Sequence, residues 1–259
     1  MTRETGGAME AEFNTVADWT ARVAADLGPD YYIPAACRGS GEPALLDWLL
    51  ERLEPRPGEV MIDVGAGMGG PAAYATRCTG LQPVLAEPEP GACRAAARLF
   101  GVPVIQADAT ALPLRDGSVD VAWCLGVLCT ATGGAAQQAI LGQLRRVIRP
   151  GGRIGLLVYL AATAELDDPP QGNHFPSSSQ LHDLFGQAGL EAVEVAAARD
   201  VSKPADWADR IEAVERELHR RYGQTPELTA ADEQSKLFGR LLNSGQLTSQ
   251  VIVLRVMPD

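Results

Sequence analysis

The residue types best suited to binding a ligand lie between positions 60 and 70. An apolar run over 60–64 passes directly into Gly65-Ala66-Gly67-Met68-Gly69-Gly70, and Pro71 follows. Glycines at this spacing permit a tight turn and let backbone approach a ligand without obstruction by a Cβ. Proline suits the first turn of a helix, whose free N–H groups would then point at the ligand. The pattern predicts a strand, a ligand-binding loop and a helix, in that order.

Two acids narrow the class of ligand. The glycines satisfy the dinucleotide fingerprint G-x-G-x-x-G, and Glu87 lies at the distance expected of an acid that holds ribose hydroxyls. Asp63, two residues before the first glycine, would repel a pyrophosphate. The same carboxylate would favour a ligand with an ammonium and a sulfonium group, as in S-adenosylmethionine. The charge argument favours S-adenosylmethionine; a nicotinamide dinucleotide, and a purely structural role for Asp63, stay as alternatives.

The chain after residue 59 alternates strand and helix patterns that could position these residues. The predicted strands are 59–64, 81–87, 102–107, 119–124, 153–159, 191–197 and 250–257, and Pro150-Gly151-Gly152 is a turn signal. The predicted helices are 71–78, 90–100, 135–148, 180–188, 204–222 and 230–242. Strands alternating with helices indicate βαβ units and a parallel sheet.

Three regions follow from this order. Residues 1–58 are predicted to form helices that cover the cofactor site. Residues 59–198 with 249–259 form the cofactor-binding domain, and 199–248 form an inserted helical cap. The cap has apolar residues at helical spacing that either line an acceptor pocket or attach the cap to the sheet: Trp207, Ile211, Val214, Leu218, Leu237, Leu241 and Leu242.

Bulk composition limits the partners. The formal net charge of −11 argues against nucleic acid, which is bound by clustered basic residues. The longest apolar run is about half of the ~20 residues that span a bilayer, and the N-terminus has no signal-peptide pattern. The five cysteines and three histidines lack metal-ligand spacing. We therefore expect a cytoplasmic monomer or homodimer that binds a small molecule and no metal.

Five stretches, matching in order and spacing, resemble the class I S-adenosylmethionine-dependent methyltransferases, particularly the small-molecule group. They are residues 60–70, 84–88, 106–113, 118–125 and 144–152. The resemblance implies a Rossmann-like α/β fold. Its seven-stranded sheet is mostly parallel with an antiparallel last strand, and helices cover both faces. It also implies a cofactor at the carboxyl ends of the strands.

The resemblance assigns cofactor contacts residue by residue. Glu87 resembles the ribose-binding acid and Asp108 the residue that contacts the adenine amino group. Tyr32 could reach the cofactor carboxylate, with core packing as the alternative. The complete predicted set is Tyr32, Asp63, Gly65, Ala66, Gly67, Gly69, Glu87, Pro88, Asp108, Ala109 and Leu125.

The acceptor end departs from the family. Relatives often have His-His or Glu-His after the fourth strand, where this chain has Leu128-Cys129-Thr130. The best candidate base is His174, in the loop after the fifth strand, because histidine can accept a proton at neutral pH. An exposed loop histidine without a catalytic role is the alternative.

The prediction is S-adenosylmethionine-dependent methyl transfer to a small organic acceptor in bacterial natural-product metabolism, with S-adenosylhomocysteine as by-product. One alternative is a cyclase-type enzyme on the same fold that binds S-adenosylmethionine without consuming its methyl group. The other is a nicotinamide-dependent oxidoreductase.

Overall fold

A computed structural model describes residues 11–37, 41–198 and 205–257. Seven strands form one sheet in the order β3-β2-β1-β4-β5-β7-β6. The strands are β1 Val60–Val64, β2 Gln82–Glu87, β3 Val104–Gln106, β4 Val119–Leu125, β5 Ile148–Ala161, β6 Leu190–Ala197 and β7 Leu247–Val256. β1 to β5 pair in parallel, and β7 is antiparallel to both of its neighbours. The predicted fold is confirmed.

Helices cover both faces because alternate residues of each strand point to opposite sides. The helices are α1 Ala17–Leu27, α2 Tyr32–Ala36, α3 Pro43–Leu53, α4 Gly70–Thr79, α5 Pro90–Phe100, α6 Gly134–Val147, α7 Ser178–Gln187, α8 Ala205–Tyr222 and α9 Pro226–Asn243. Ile62 and Val64 of β1 pack with α6 and α7, while Met61 packs with α3 and α4 on the other face. A π-helical turn, Ala11–Val16, precedes α1.

All seven strands have at least one boundary that differs from the sequence prediction, by one to three residues at most ends and by five at the start of β5. β5 begins at Ile148 and not at 153, because Pro150-Gly151-Gly152 forms an irregularity inside the strand instead of its boundary. The register shifts there between Val119 and Val121 of β4, and Gly151 has φ +77°. β3 is shorter than predicted. It lies at the sheet edge and follows Pro103, which has no N–H to donate.

The N-terminal helix and the two helices between β6 and β7 contact each other. Trp19 of α1 stacks on Tyr222 of α8, with ring centroids 4.3 Å apart. His219 of α8 lies 2.7 Å from an Asp232 carboxylate oxygen of α9. α9 packs against both the Ala11–Val16 turn and β7. Within the described ranges no helix is long and apolar enough to cross a membrane.

Candidate active site

The glycine loop takes the conformation that its composition predicts. Gly65, Gly67 and Gly69 have φ of +70°, +52° and +80°, a region that side chains with a Cβ rarely adopt. The Gly65 N–H donates to the Ala86 carbonyl at 2.8 Å, which fixes the loop to the end of β2. A Cβ added at Gly67 would meet nothing within 4 Å, whereas one at Gly65 would collide with the Val127 side chain. Gly67 therefore faces open space.

That space is a cavity of about 480 Å³ at the carboxyl ends of β1, β2 and β4. Eight of the eleven predicted cofactor-binding residues line it: Gly65, Ala66, Gly67, Glu87, Pro88, Asp108, Ala109 and Leu125. They come from four separate parts of the chain, which the parallel sheet brings to one edge. The volume lies in the range of small-molecule sites.

The other three predicted residues do not line the cavity. Gly69 turns the loop, and a Cβ there would press on Leu85. The Tyr32 ring packs edge-on against Phe100, with centroids 6.5 Å apart, which corresponds to the core-packing alternative. Asp63 is buried beneath the loop, with 2% of its surface exposed.

Asp63 has an unusual electrostatic environment. Its Oδ2 atom and the Trp123 indole nitrogen are both buried and have no hydrogen-bond partner among the described residues. Burial raises the pKa of Asp63 to about 7; the nearby Trp123 side chain opposes this rise, and the Glu87 charge adds to it. Asp63 is not among the residues that line the cavity, and its contact with a cofactor stays a prediction.

Glu87 is the buried acid that does line the cavity. Only 4% of it is exposed, and its two carboxylate oxygens accept backbone N–H groups from Gly67 (2.8 Å) and Glu89 (3.0 Å). Burial raises its pKa, and these two hydrogen bonds partly offset the rise. The bonds fix the carboxylate orientation while each oxygen keeps a lone pair. This geometry suits recognition of a vicinal diol such as that of ribose.

Asp108 lies on the loop after β3. Its Oδ1 atom accepts both the backbone N–H (2.8 Å) and the hydroxyl (2.6 Å) of Thr110. Both bonds go to the same oxygen, so Oδ2 is the atom available to a ligand amino group. Because Glu87 and Asp108 follow neighbouring strands, they line the same side of the cavity.

The N-terminal turn and α1 cover the cavity. The residues that they contribute are Glu12, Phe13, Val16, Ala17 and Thr20. The sequence pattern predicts a covering helix but does not identify these side chains, because amphipathicity does not show which apolar residues face a ligand and which face the core.

The remaining wall, residues 126–132, includes a 3-10 turn at Leu128–Thr130. Gln137, which is 1% exposed, donates from Nε2 to the carbonyls of Leu128 (2.9 Å) and His174 (3.1 Å). The His174 N–H donates to the Cys129 carbonyl at 2.7 Å. Gln137 therefore ties this wall to the loop after β5. Sequence reasoning missed it because a single glutamine in a helix has no distinguishing pattern.

The predicted base, His174, is exposed and does not line the cavity. Only its backbone atoms make the contacts described above. Its catalytic role stays a prediction. In the described part of the chain no group of three or more His, Cys, Asp or Glu side chains could hold a metal ion.

Known proteins match this chain over the strands that position the cavity. Residues 62–156, from β1 to β5, match the family model described as "Methyltransferase domain". The "O-methyltransferase cnsE" of Penicillium expansum is 30% identical over 60% of this chain and 60% of its own length. "Methyltransferase GfsG" of Streptomyces halstedii is 30% identical over 48% of this chain and 46% of its own. The chain thus spans less than two thirds of the length of these curated relatives.

Among solved structures, the [4+2]-cyclase SpnF superposes with a TM-score of 0.71. The match covers 96% of this chain and 97% of that one at 20% identity. A likeness at this identity concerns the fold alone.

Proposed function

We propose that this chain, which belongs to the class I S-adenosylmethionine-dependent methyltransferases, methylates a small organic acceptor. The observation that carries the proposal is the buried Glu87 carboxylate, held by two backbone N–H groups in the wall of a cavity that Asp108 and the glycine loop also line. Glu87 suits the ribose diol, Asp108 suits the adenine amino group, and the backbone at Gly67 is unobstructed. Together these features match an adenosine moiety. When bound, S-adenosylmethionine supplies an electrophilic methyl group.

The residues present fit this cofactor. The Glu87 carboxylate would accept hydrogen bonds from the ribose hydroxyls. Asp108 Oδ2 would accept a hydrogen bond from the adenine amino group. The cavity side of the glycine loop has no Cβ at Gly67, so backbone can approach the ligand. The cavity walls are also acidic, with Glu12, Glu87, Glu89 and Asp108 among the described lining residues and no Lys, Arg or His. A cationic ligand is favoured there and a pyrophosphate is disfavoured.

The protein's own contribution to methyl transfer is alignment and exclusion of water. The Ala11–Val16 turn and the start of α1 line the cavity from above, and the 126–132 wall lines it from the side. No described lining residue is a histidine, so an acceptor that is already nucleophilic, such as a neutral amine or an activated carbon, suits the site best.

Two measurements test the proposal. Isothermal titration should show binding of S-adenosylhomocysteine and no binding of NAD; binding of NAD alone would overturn the cofactor assignment. Incubation with methyl-labelled S-adenosylmethionine and a panel of small amines, phenols and activated carbon acids should give labelled product and S-adenosylhomocysteine in equal amounts.

A second candidate is a cyclase-type enzyme that binds S-adenosylmethionine and does not consume its methyl group. The lack of a cavity-lining histidine and the fold shared with a [4+2]-cyclase support it. Conversion of an acceptor without formation of S-adenosylhomocysteine would favour this candidate over methyl transfer.

We place the reaction in bacterial natural-product metabolism. The natural-product role is an analogy with Gly- and Ala-rich bacterial enzymes of this type; only 2 of the 22 basic residues are lysines, a bias common in GC-rich genomes. Loss of one secondary metabolite on gene deletion, with unchanged growth, would be the expected result.

A further inference from the structure

The Ala11–Val16 turn, which lines the cavity from above, lies against the backbone of α5. A Cβ added at Gly91, the second residue of α5, would be 1.7 Å from the Asn14 carbonyl oxygen and 2.5 Å from the Asn14 Cα atom. Cβ atoms in proteins essentially never approach another atom more closely than 3.0 Å. The obstructing atoms are backbone, so no side-chain rotation could relieve the contact. The turn therefore takes this position only because residue 91 is a glycine.

This contact distinguishes Gly91 from another helical glycine of the chain. Gly142 lies inside α6, and a Cβ added there would meet nothing within 4 Å. Gly142 does not line the cavity. Alanine is a more favourable residue than glycine in a helix. Gly142→Ala is therefore a matched control for Gly91→Ala, with the same chemical change and no steric conflict.

Apolar packing fixes the turn at the end of the cavity where the adenosine-binding acids lie. Val16 belongs to one buried cluster with Ala92 of α5 and Met68 of the glycine loop. α5 begins three residues after Glu87. The turn is thus held beside the predicted ribose-binding acid, between α5 and the glycine loop.

Phe13 is the aromatic residue of this turn. It lines the cavity, and it is the only aromatic side chain among the described residues that do so. Its side chain is partly buried, and within the described ranges it belongs to none of the apolar clusters that form the core. Core packing therefore does not account for this ring. An aromatic ring in a cavity wall offers a flat apolar surface to a bound ring system.

We propose that Phe13 contacts the adenosine half of the cofactor, and that Gly91 is a positioning residue that lets the turn lie close enough for this contact. The inference rests on the proposed function, because it takes the cavity as the S-adenosylmethionine site. Asn14 follows Phe13 in the chain and lies against the helix that comes directly after Glu87-Pro88-Glu89. That neighbourhood places the ring on the side of the cavity where Glu87 would hold the ribose.

The required displacement is large enough to break the contact. An ordinary contact of a Cβ begins at 3.4 Å, so a side chain at position 91 would push the Asn14 carbonyl away by roughly 1.5–2 Å. A gap of about 1 Å already removes up to half of the dispersion attraction between two atoms. Gly91→Ala should therefore weaken binding although the Phe13 ring is still present.

Isothermal titration with two probes tests the inference. S-adenosylhomocysteine contains both halves of the cofactor, and 5′-methylthioadenosine contains the adenosine half without the amino acid. Phe13→Ala and Gly91→Ala should each weaken binding of both probes at least fivefold. Phe13→Trp, which keeps an aromatic face, should stay within threefold of the wild type, and Gly142→Ala within twofold.

Two further measurements separate positioning from a general loss of stability. Amide hydrogen exchange in Gly91→Ala should be faster over residues 11–20 and unchanged in the strands of the sheet. The double variant Phe13→Ala/Gly91→Ala should bind within twofold of the weaker single variant, because both substitutions remove the same contact. If Gly91→Ala does not fold, the two Phe13 variants decide.

Unchanged binding by Phe13→Ala, a loss confined to S-adenosylhomocysteine, or multiplied losses in the double variant would overturn the inference. A wild-type protein that binds NAD and not S-adenosylhomocysteine would refute the proposed function instead. NAD has the same adenosine half, so it would then be the probe that decides the inference with the same variants.

Discussion

Glu87→Gln is the sharpest test of the cofactor site. The substitution keeps the shape of the side chain but replaces one carboxylate oxygen with an NH₂ group. In the native protein both oxygens accept backbone N–H groups, from Gly67 and from Glu89. The new NH₂ must face one of these donors, so at least one hydrogen bond is lost, and the cavity loses an acceptor for a ligand hydroxyl.

The expected magnitude follows from the type of bond lost. A hydrogen bond to a charged group contributes about 1.5–3 kcal/mol, and the ligand loses one such acceptor. We therefore expect the Kd for S-adenosylhomocysteine to rise about 10- to 150-fold. The hydrogen bond from the Gly67 N–H also orders the glycine loop. Its loss should therefore weaken S-adenosylhomocysteine binding and also lower the Tm of the protein slightly.

Isothermal titration with S-adenosylhomocysteine measures the effect, and Glu89→Gln is the matched control. Glu89 lines the same cavity two residues away, and its substitution changes the net charge equally. We expect a Kd within about threefold of the wild type for this control. A Glu87→Gln protein that binds within twofold of the wild type, or equal losses for both variants, would show that the hydrogen-bond geometry is not what selects the ligand.

Three further predictions concern the loop, the buried acid and the candidate base. The Asp63 carboxyl is protonated up to about pH 7 when folded but only up to about pH 4 when unfolded, so its ionisation destabilises the fold as pH rises between these values. Urea unfolding at pH 5 and pH 8 gives the decrease in the free energy of unfolding between these two pH values. This decrease should be about 2–3 kcal/mol smaller for Asp63→Asn than for the wild type; equal decreases in the two proteins would contradict the raised pKa. Gly65→Ala should abolish tight S-adenosylhomocysteine binding by collision with Val127, and adding Val127→Ala should recover part of it; an equally weak double variant would refute the collision. If His174 is the base, His174→Ala should lower turnover at least tenfold with unchanged cofactor affinity; turnover within twofold of the wild type would remove it from the mechanism, in line with its position outside the cavity lining.

The cofactor side of the site could be predicted because its determinants are local. Gly65 and Gly67 need positive φ, and that need is visible in the sequence. Glu87 and Asp108 each follow a recognisable strand, and parallel strands present their carboxyl ends at one edge of a sheet. Local pattern and simple sheet geometry together bring these residues into one cavity.

Asp63 is a predicted cofactor residue that the structure places outside the cavity lining. Proximity along the chain to Gly65 suggested contact with the ligand, but alternation in β1 turns its side chain to the face that holds Trp123 and Cys37. Asp63 is buried, and its surroundings come from several parts of the chain, so they cannot be read from the sequence. Tyr32 also lies outside the cavity lining, since a helical tyrosine can face either a ligand or a neighbouring ring, and here its ring contacts Phe100.

The acceptor side could not be predicted because the 126–132 wall is made by long-range contacts. The carbonyls of Leu128 and Cys129 are held by Gln137 and by the backbone N–H of His174, nine and forty-five positions away along the chain. The thiol of Cys129 is itself used to bond Gly126. Because the Cys129 thiol makes this hydrogen bond within the wall, it cannot also serve as a base. The difference from relatives that have His-His or Glu-His here therefore changes the structure of the wall as well as the chemistry available to it. On the proposed function, an acceptor that is already nucleophilic suits this site best, because no described residue that lines the cavity is a histidine.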